Sequence, residues 1–203
     1  VRYLSNPSSG KMGHALAAEA ARRGARVTLL HGPVALPAPE GLEEAVAITT
    51  AREMFEEAVK RAPEMDLFIF AAAVSDWRPA ETSARKRKKE GAPERLSVEF
   101  VRNPDIALGC LERARAGALR VGFAAETHGL LAHAREKLRA KRFDLIVAND
   151  VTAPGAGFAA DTNRAILLRE GAAPRSLESM TKSALAAVIL DEVEALQRAR
   201  RGK

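Results

Sequence analysis

The stretch Thr50-Ala-Arg-Glu-Met-Phe-Glu-Glu-Ala-Val-Lys-Arg61, followed shortly by Asp66-Leu-Phe-Ile-Phe-Ala-Ala72, sets a helix directly against a strand. Thr50 with Glu53 three residues later is a capping box, and it predicts a helix from Thr50 to Arg61. Asp66 to Ala72 is a short apolar run that reads as a strand buried on both faces. Working outward, Gly10 to Arg23 carries Met12, Ala15, Leu16, Ala18, Ala20 and Ala21 at mixed helical spacing, with Gly24 where a C-terminal cap belongs. Arg26 to Leu30 and Glu43 to Thr49 are β-rich runs, the first closed by Gly32 and Pro33. On the carboxyl side come a helix from Pro104 to about Arg115, a strand from Leu119 to Phe123, a helix from about Gly129 to Arg142 and a strand from Asp144 to Ala148. A Pro154-Gly-Ala-Gly157 loop, a strand from Arg164 to Arg169 and a helix from Lys182 to Arg198 close the chain. Strand and helix alternate, which predicts an α/β fold: a Rossmann-like parallel sheet with helices on both faces.

The rhythm breaks between Arg78 and Arg102. Arg85-Lys-Arg-Lys-Lys89 and Glu90-Gly-Ala-Pro93 have no apolar periodicity, and Leu96, Val98 and Phe100 then alternate. This predicts a mobile basic loop leading into a projecting strand.

At 203 residues and 47% hydrophobic, the chain fits one domain better than two. Aromatics are only 4%, so Ala, Leu and Val must fill the core. Cys110 is the single cysteine, which excludes an internal disulfide and a cysteine-cluster metal site and fits a reducing cytosol. In the run Ile106-Ala-Leu-Gly-Cys-Leu111 it reads as a small buried hydrophobe. The net charge of +6 favours an anionic partner. No apolar run approaches the roughly 20 residues that span a bilayer and no signal peptide is apparent, so a soluble cytoplasmic protein is expected.

Five phrases fall where a strand ends or a helix begins, the positions at which α/β sheets build their sites: Asn6-Pro-Ser-Ser-Gly-Lys-Met-Gly13, Ala71-Ala-Ala-Val-Ser-Asp76, Asn103-Pro-Asp-Ile106, Gly122-Phe-Ala-Ala-Glu126 and Ala148-Asn-Asp150. Ser8-Ser-Gly-Lys-Met-Gly13 puts hydroxyls, a glycine and a lysine at a helix N-terminus, where unpaired N–H groups favour an anion. It matches neither the Walker A loop nor the dinucleotide glycine fingerprint, and an ordinary serine cap is its bland alternative. Small side chains around Ala72 let a nucleotide approach the backbone, with Asp76 beyond them; a solvent-exposed strand-end Asp is the plainer reading. Asn103-Pro-Asp-Ile106 is a helix entry, with Asn103 as cap and Pro104 in the first turn. Lys137 and Lys141 lie four apart on one helix, so their ammonium groups can converge on one ligand, although such pairs are more often solvated surface charge. Asn6-Pro7 is by itself a turn signal.

In this order and register the phrases resemble the phosphopantothenoylcysteine synthetase family, from Val1 to about Leu190. The resemblance implies one phosphopantothenate–cysteine ligase domain over residues 1–203, preceded in the family by a strand and Gly-rich loop outside this sequence. It implies CTP as co-substrate with Mg²⁺, 4'-phosphopantothenate and L-cysteine as the other substrates, and a homodimer. By the same resemblance Ser9, Gly10, Ala72, Asp76, Lys86, Lys137 and Lys141 contact the nucleotide, while Asn103, Pro104, Asp105, Ile106 and Phe123 line its cytosine and ribose pocket. Lys86 belongs to a basic loop that closes over phosphate, and Arg2 and Asn6 stand beside the phosphopantothenate carboxylate. No metal ligands are assigned. Two other classes share some features. An NAD(P)-binding oxidoreductase would share the fold, but Tyr3 is the only tyrosine and the glycine fingerprint is missing. A basic nucleic-acid-binding module would explain the charge, but one Tyr, one Trp and seven Phe leave little for base stacking.

Overall fold

The computed structural model describes residues 3–83, 94–126, 129–150 and 162–202, with the backbone alone for Ala125, Glu126 and Asp150. Arg2, Lys86 and the rest of the Arg85–Lys89 run, the Pro154–Gly157 loop and Asp161 lie outside the described residues.

Five α-helices are described: α1 (Lys11–Arg22), α2 (Ala51–Arg61), α3 (Ile106–Arg113), α4 (Leu130–Ala140) and α5 (Lys182–Arg201). The strands are β1 (Thr28–His31), β2 (Glu44–Ala47), β3 (Leu67–Phe70), β4 (Trp77–Pro79), β5 (Phe100–Arg102), β6 (Leu119–Glu126), β7 (Leu145–Asp150), β8 (Thr162–Asn163), β9 (Ala165–Leu168), β10 (Arg175–Ser176) and β11 (Met180–Thr181). The central sheet has the order β10-β9-β7-β6-β3. Its β3, β6 and β7 run parallel, as the strand–helix alternation predicts. β9 and β10 add antiparallel edges. The segment between β7 and β9 contains Pro154 and three glycine or alanine neighbours rather than a helical pattern, and a parallel return needs a crossover, usually a helix. β1 and β2 pair in parallel with each other and with no other strand among the described residues.

The pleat distributes the core between the two faces. Leu119 and Val121 of β6, Leu145 and Val147 of β7, and Ala165 and Leu167 of β9 pack with Leu16 of α1 and Leu185, Ala186, Ile189 and Val193 of α5. The alternate residues Ala124, Ile146, Ala148 and Leu168 pack with Ala134 and Leu138 of α4 and with Phe143. Phe68, Cys110, Ala62 and Ala118 form a third group under α2 and α3. Helices therefore cover both faces. Each fully buried Leu, Ile or Val contributes roughly 1.5–3 kcal/mol.

The local signals behave as the sequence predicts at α2. The Thr50 hydroxyl accepts from the Glu53 N–H at 3.1 Å, and the Glu53 carboxylate accepts from the Thr50 N–H at 3.1 Å. α1 begins on Gly10, whose φ of 72° suits glycine and whose Cβ, if present, would stand 2.9 Å from Val34 Cγ1. α1 is clamped to α5 by Arg23, which reaches Glu19 at 2.8 Å, Asp191 at 2.8 Å and Glu194 at 2.7 Å.

Two expectations are corrected. The projecting strand is Phe100–Arg102 and not the Leu96–Phe100 run, because its antiparallel partner β4 spans only Trp77–Pro79 and pairing ends with the Ala80 N–H to the Glu99 carbonyl at 2.9 Å. The cap of α3 is Asp105 rather than Asn103: Pro104 holds Asn103 away from helical backbone, and the Asp105 carboxylate accepts from the Leu108 N–H at 3.1 Å.

Candidate functional site

β3, β6 and β7 run parallel, with Phe70 opposite Gly122 and Glu126 opposite Asp150, so the segments leaving them emerge at one rim of the sheet. Ligands of open α/β sheets bind at that rim, outside the carboxyl ends of the strands. The Ala71–Asp76 segment leaves β3 there and leads into β4.

Asn103 ties that segment to the start of α3. Its backbone N–H donates to the Asp76 carbonyl at 2.8 Å, and its side-chain Nδ2 donates to the Ser75 carbonyl at 2.8 Å. Its Oδ1 accepts from Arg78 Nη1 at 3.3 Å, while Arg78 also donates to the Arg102 carbonyl. Arg102 in turn lies over the Trp77 ring, 5.4 Å from its centroid. Asn6 reaches the same segment, its Nδ2 donating to the Val74 carbonyl at 3.3 Å.

The two helix lysines converge on this rim. Lys137 Nζ donates to the Phe123 carbonyl at 2.7 Å, and Lys141 is ion-paired with Asp105, the cap of α3. The last turn of α4 and its C-cap residue Lys141 thus face the end region of β6 and the Asn103–Ile106 turn. Phe123 is half-buried against the main core group, so it is part core and part rim. Ala72 and Asp76 are exposed, and Ser9 and Gly10 open α1. The Ser8 hydroxyl accepts from the Gly10 N–H at 3.3 Å and the Ser9 hydroxyl from the Lys11 N–H at 3.4 Å, so no serine makes the usual cap bond of α1.

The structure therefore joins Asn103, Asp105, Phe123, Lys137 and Lys141 through two direct contacts and the short turn, and brings Asn6 to the neighbouring segment. A cleft of about 420 Å³ beside the turn is lined by Asn103, Pro104, Arg78, Arg102, Arg52 and Phe55 among others. Of the residues singled out from sequence, only Asn103 and Pro104 line it.

Sequence reasoning missed two polar residues here, Arg78 and Lys182, whereas Asn149 belongs to the Ala148-Asn-Asp150 phrase. Arg78 holds Asn103 in place, and nothing in a lone arginine at the start of a hairpin signals that contact. Lys182, read only as the start of a helix, is buried and donates to Asn163 Oδ1 at 2.8 Å. Asn149, at the carboxyl end of β7, keeps a buried Oδ1 with no hydrogen-bond partner. The pairing of Lys182 with Asn163 joins residues 19 apart, a distance that no local pattern reports.

Among the described residues no group of three or more His, Cys, Asp or Glu side chains could enclose an ion. Mg²⁺ needs less: it keeps several waters and is held by one or two carboxylates plus substrate phosphates. Exposed Asp76 meets that requirement, whereas Asp105 is already paired with Lys141. Cys110 is buried, and desolvation pushes its thiol up to about 11, which suits a core residue rather than a nucleophile.

Comparison with known proteins gives one consistent result. A family model described as the DNA/pantothenate metabolism flavoprotein C-terminal domain matches residues 1–196. The coenzyme A biosynthesis bifunctional protein CoaBC of Vibrio vulnificus strain YJ016 is 40% identical over 196 residues, which are 97% of this chain and 48% of that protein. CoaBC of Escherichia coli K12 is 43% identical over 195 residues, 95% of this chain and 47% of that protein. The chain thus spans about half the length of the curated relatives it matches. A crystal structure of the C-terminal domain of CoaBC superposes with a TM-score of 0.81 at 35% identity, covering 98% of this chain and 90% of that one. With its motifs, its sheet and nearly its whole length in agreement, the chain belongs to the DNA/pantothenate metabolism flavoprotein C-terminal domain family, the phosphopantothenoylcysteine synthetase family that its five phrases resemble.

Proposed function

We propose that this chain is a phosphopantothenate–cysteine ligase of coenzyme A biosynthesis, which joins 4'-phosphopantothenate to L-cysteine at the expense of CTP. The observation that carries the reading is the convergence of Lys137 and Lys141 on the Phe123 carbonyl and the Asn103–Ile106 turn, at the rim where an α/β sheet binds its ligand. In the first step a phosphopantothenate carboxylate oxygen attacks the α-phosphorus of CTP. The bond to the β-phosphate oxygen breaks, giving an acyl-cytidylate and pyrophosphate. In the second step the cysteine amine attacks the acyl carbon, the carbon–oxygen bond to CMP breaks, and the ammonium proton is released.

The residues follow from that chemistry. Lys137 and Lys141 offset triphosphate charge, and Ser9 and Gly10 at the entry to α1 are assigned to the phosphates by resemblance. The Asn103–Ile106 turn and Phe123 flank the base and ribose. Asn6, an N–H donor to Val74, is assigned by resemblance to donate to the acyl oxygen during attack by cysteine. Arg2 and Lys86 are assigned to the carboxylate and to the phosphates by resemblance. Mg²⁺, when bound with CTP, supplies positive charge to the phosphate oxygens, and exposed Asp76 is the carboxylate that fits it.

A homodimer and a single cytoplasmic domain belong to the same proposal. Leu96, Val98 and Phe100 are exposed by 62%, 46% and 42%, an alternating apolar face of the kind a second copy covers. No helix among the described residues is long and apolar enough to cross a membrane.

Calorimetry tests the site directly. Lys137→Ala and Lys141→Ala should each weaken CTP far more than CMP, because only the β- and γ-phosphates lose a partner. Small and equal losses for the two nucleotides would return both lysines to the solvated surface.

A further inference from the structure

At the opposite end of the sheet, residues at the amino ends of β6 and β7 and just past the end of β9 surround a second cleft, of about 610 Å³. Arg120, Arg139, Arg142 and Arg169 line it, facing the carboxylates of Asp144 and Glu170. From Arg120 to Glu126 the strand spans roughly 20 Å, which separates this cleft from the carboxyl ends of β6 and β7, while on the α4 side Arg142 directly follows Lys141, the partner of Asp105.

The carboxylates do not use up the guanidinium charge. Asp144 is occupied on both oxygens: Oδ1 pairs with Arg200, and Oδ2 accepts from the Arg120 backbone N–H at 2.8 Å. The Arg120 Nε is buried and makes no hydrogen bond, its nearest carboxylate oxygen being Asp144 Oδ2 at 3.7 Å. Glu170 lies 3.7 Å from Arg139 with both side chains mostly in water, a contact of little strength. Arg169 shares Glu192 with Arg175. Arg142 has no carboxylate partner among the described residues. It is also the one non-glycine among them with a positive φ, 50°, just past the end of α4. Glycine or asparagine takes that conformation with less steric cost, so an arginine there places a guanidinium at the cleft against local preference.

We infer that this cleft binds a small free metabolite through a phosphate or diphosphate group, held by the guanidiniums of Arg120, Arg142 and Arg169. Guanidinium forks match phosphate oxygens in pairs, and the volume falls within the range of small-molecule sites. Ala172 and Leu196 offer apolar wall to the remainder of the ligand. A nucleic-acid backbone presents the same oxygens, but the cleft carries two carboxylates, and its single aromatic, Phe143, is buried and gives no face for stacking.

The inference does not depend on the ligase reading, and amide-resolved NMR separates the two. Inorganic pyrophosphate is titrated into the isotope-labelled protein at constant ionic strength. The amides of Arg120, Arg142, Gly171 and Ala172 should shift and saturate. Arg142→Asn, which keeps the left-handed backbone comfortable, should weaken that binding by about tenfold or more, the loss of one charge-assisted pair. Shifts around Ser8 to Lys11 should be unchanged by the variant, whatever they report about the nucleotide site. Shifts at the cleft that fail to saturate, that chloride reproduces at equal ionic strength, or that Arg142→Asn leaves at the same affinity would overturn the inference. So would a single-stranded oligonucleotide that binds there more tightly than pyrophosphate and is weakened by the same substitution.

Discussion

Asn103 holds the candidate site together through three of its atoms. Its N–H and Nδ2 fasten the segment after β3, and its Oδ1 receives Arg78 from β4. The sequence reading as a helix cap located the right turn but gave the cap bond to the wrong side chain, since Asp105 makes it. At the same scale Lys137 and Lys141 differ in what they already hold. Lys137 donates to the Phe123 carbonyl and Lys141 is ion-paired with Asp105, so Lys137→Ala and Lys141→Ala should each lower CTP affinity in calorimetry. Gly122 is explained by packing: a Cβ there would overlap the Phe143 ring. Gly122→Ala should therefore destabilise by about 1–3 kcal/mol in chemical denaturation, and Gly122→Ala with Phe143→Leu should recover part of that loss. Cys110, buried with its thiol pushed up to about 11, should resist a thiol reagent at pH 8 in the folded protein and react at once after denaturation. Rapid labelling of the native protein would contradict the packing under α2 and α3.

Among the elements, the Glu19 ion pairs at the end of α1 make a pH prediction. Hydrogen bonds from Arg22 and then Arg23 lower the Glu19 carboxyl from 4.5 to about 2. A carboxylate lowered by folding stabilises the native state above its unfolded value, and that contribution disappears as protons bind. The melting-temperature difference between the native sequence and Glu19→Gln should hold above about pH 4.5 and shrink towards zero as pH falls to about 2. A constant difference across that range would mean that Arg22 and Arg23 do not hold Glu19 ionised. Elements with local signals were legible in the sequence. The capping box found α2, the apolar run found β3, and Gly24, at φ 84°, marks the end of α1. Elements that depend on distant partners were not. β5 lies where β4 can reach it rather than where apolar residues alternate, and β8, β10 and β11 are two-residue strands made by pairing alone. The same holds for the site: phrase position and lysine spacing pointed to the rim, while the Arg78–Asn103 and Lys182–Asn163 contacts join residues 25 and 19 apart.

Across the whole molecule, a parallel core of β3, β6 and β7 carries the candidate site at its carboxyl rim and an arginine-lined cleft towards its amino end. The antiparallel edge of β9 and β10 extends the sheet without adding to that rim the end of another parallel strand. The proposed ligase reading puts nucleotide chemistry at the carboxyl rim, and turnover tests that reading most directly. Purified protein is given 4'-phosphopantothenate, L-cysteine, Mg²⁺ and each nucleoside triphosphate in turn, with pyrophosphate release followed by a coupled assay and product by mass spectrometry. The account predicts that pyrophosphate and phosphopantothenoylcysteine appear together with CTP, and that neither forms when phosphopantothenate is left out. Equal turnover with all four nucleotides, or pyrophosphate release that ignores phosphopantothenate, would contradict it.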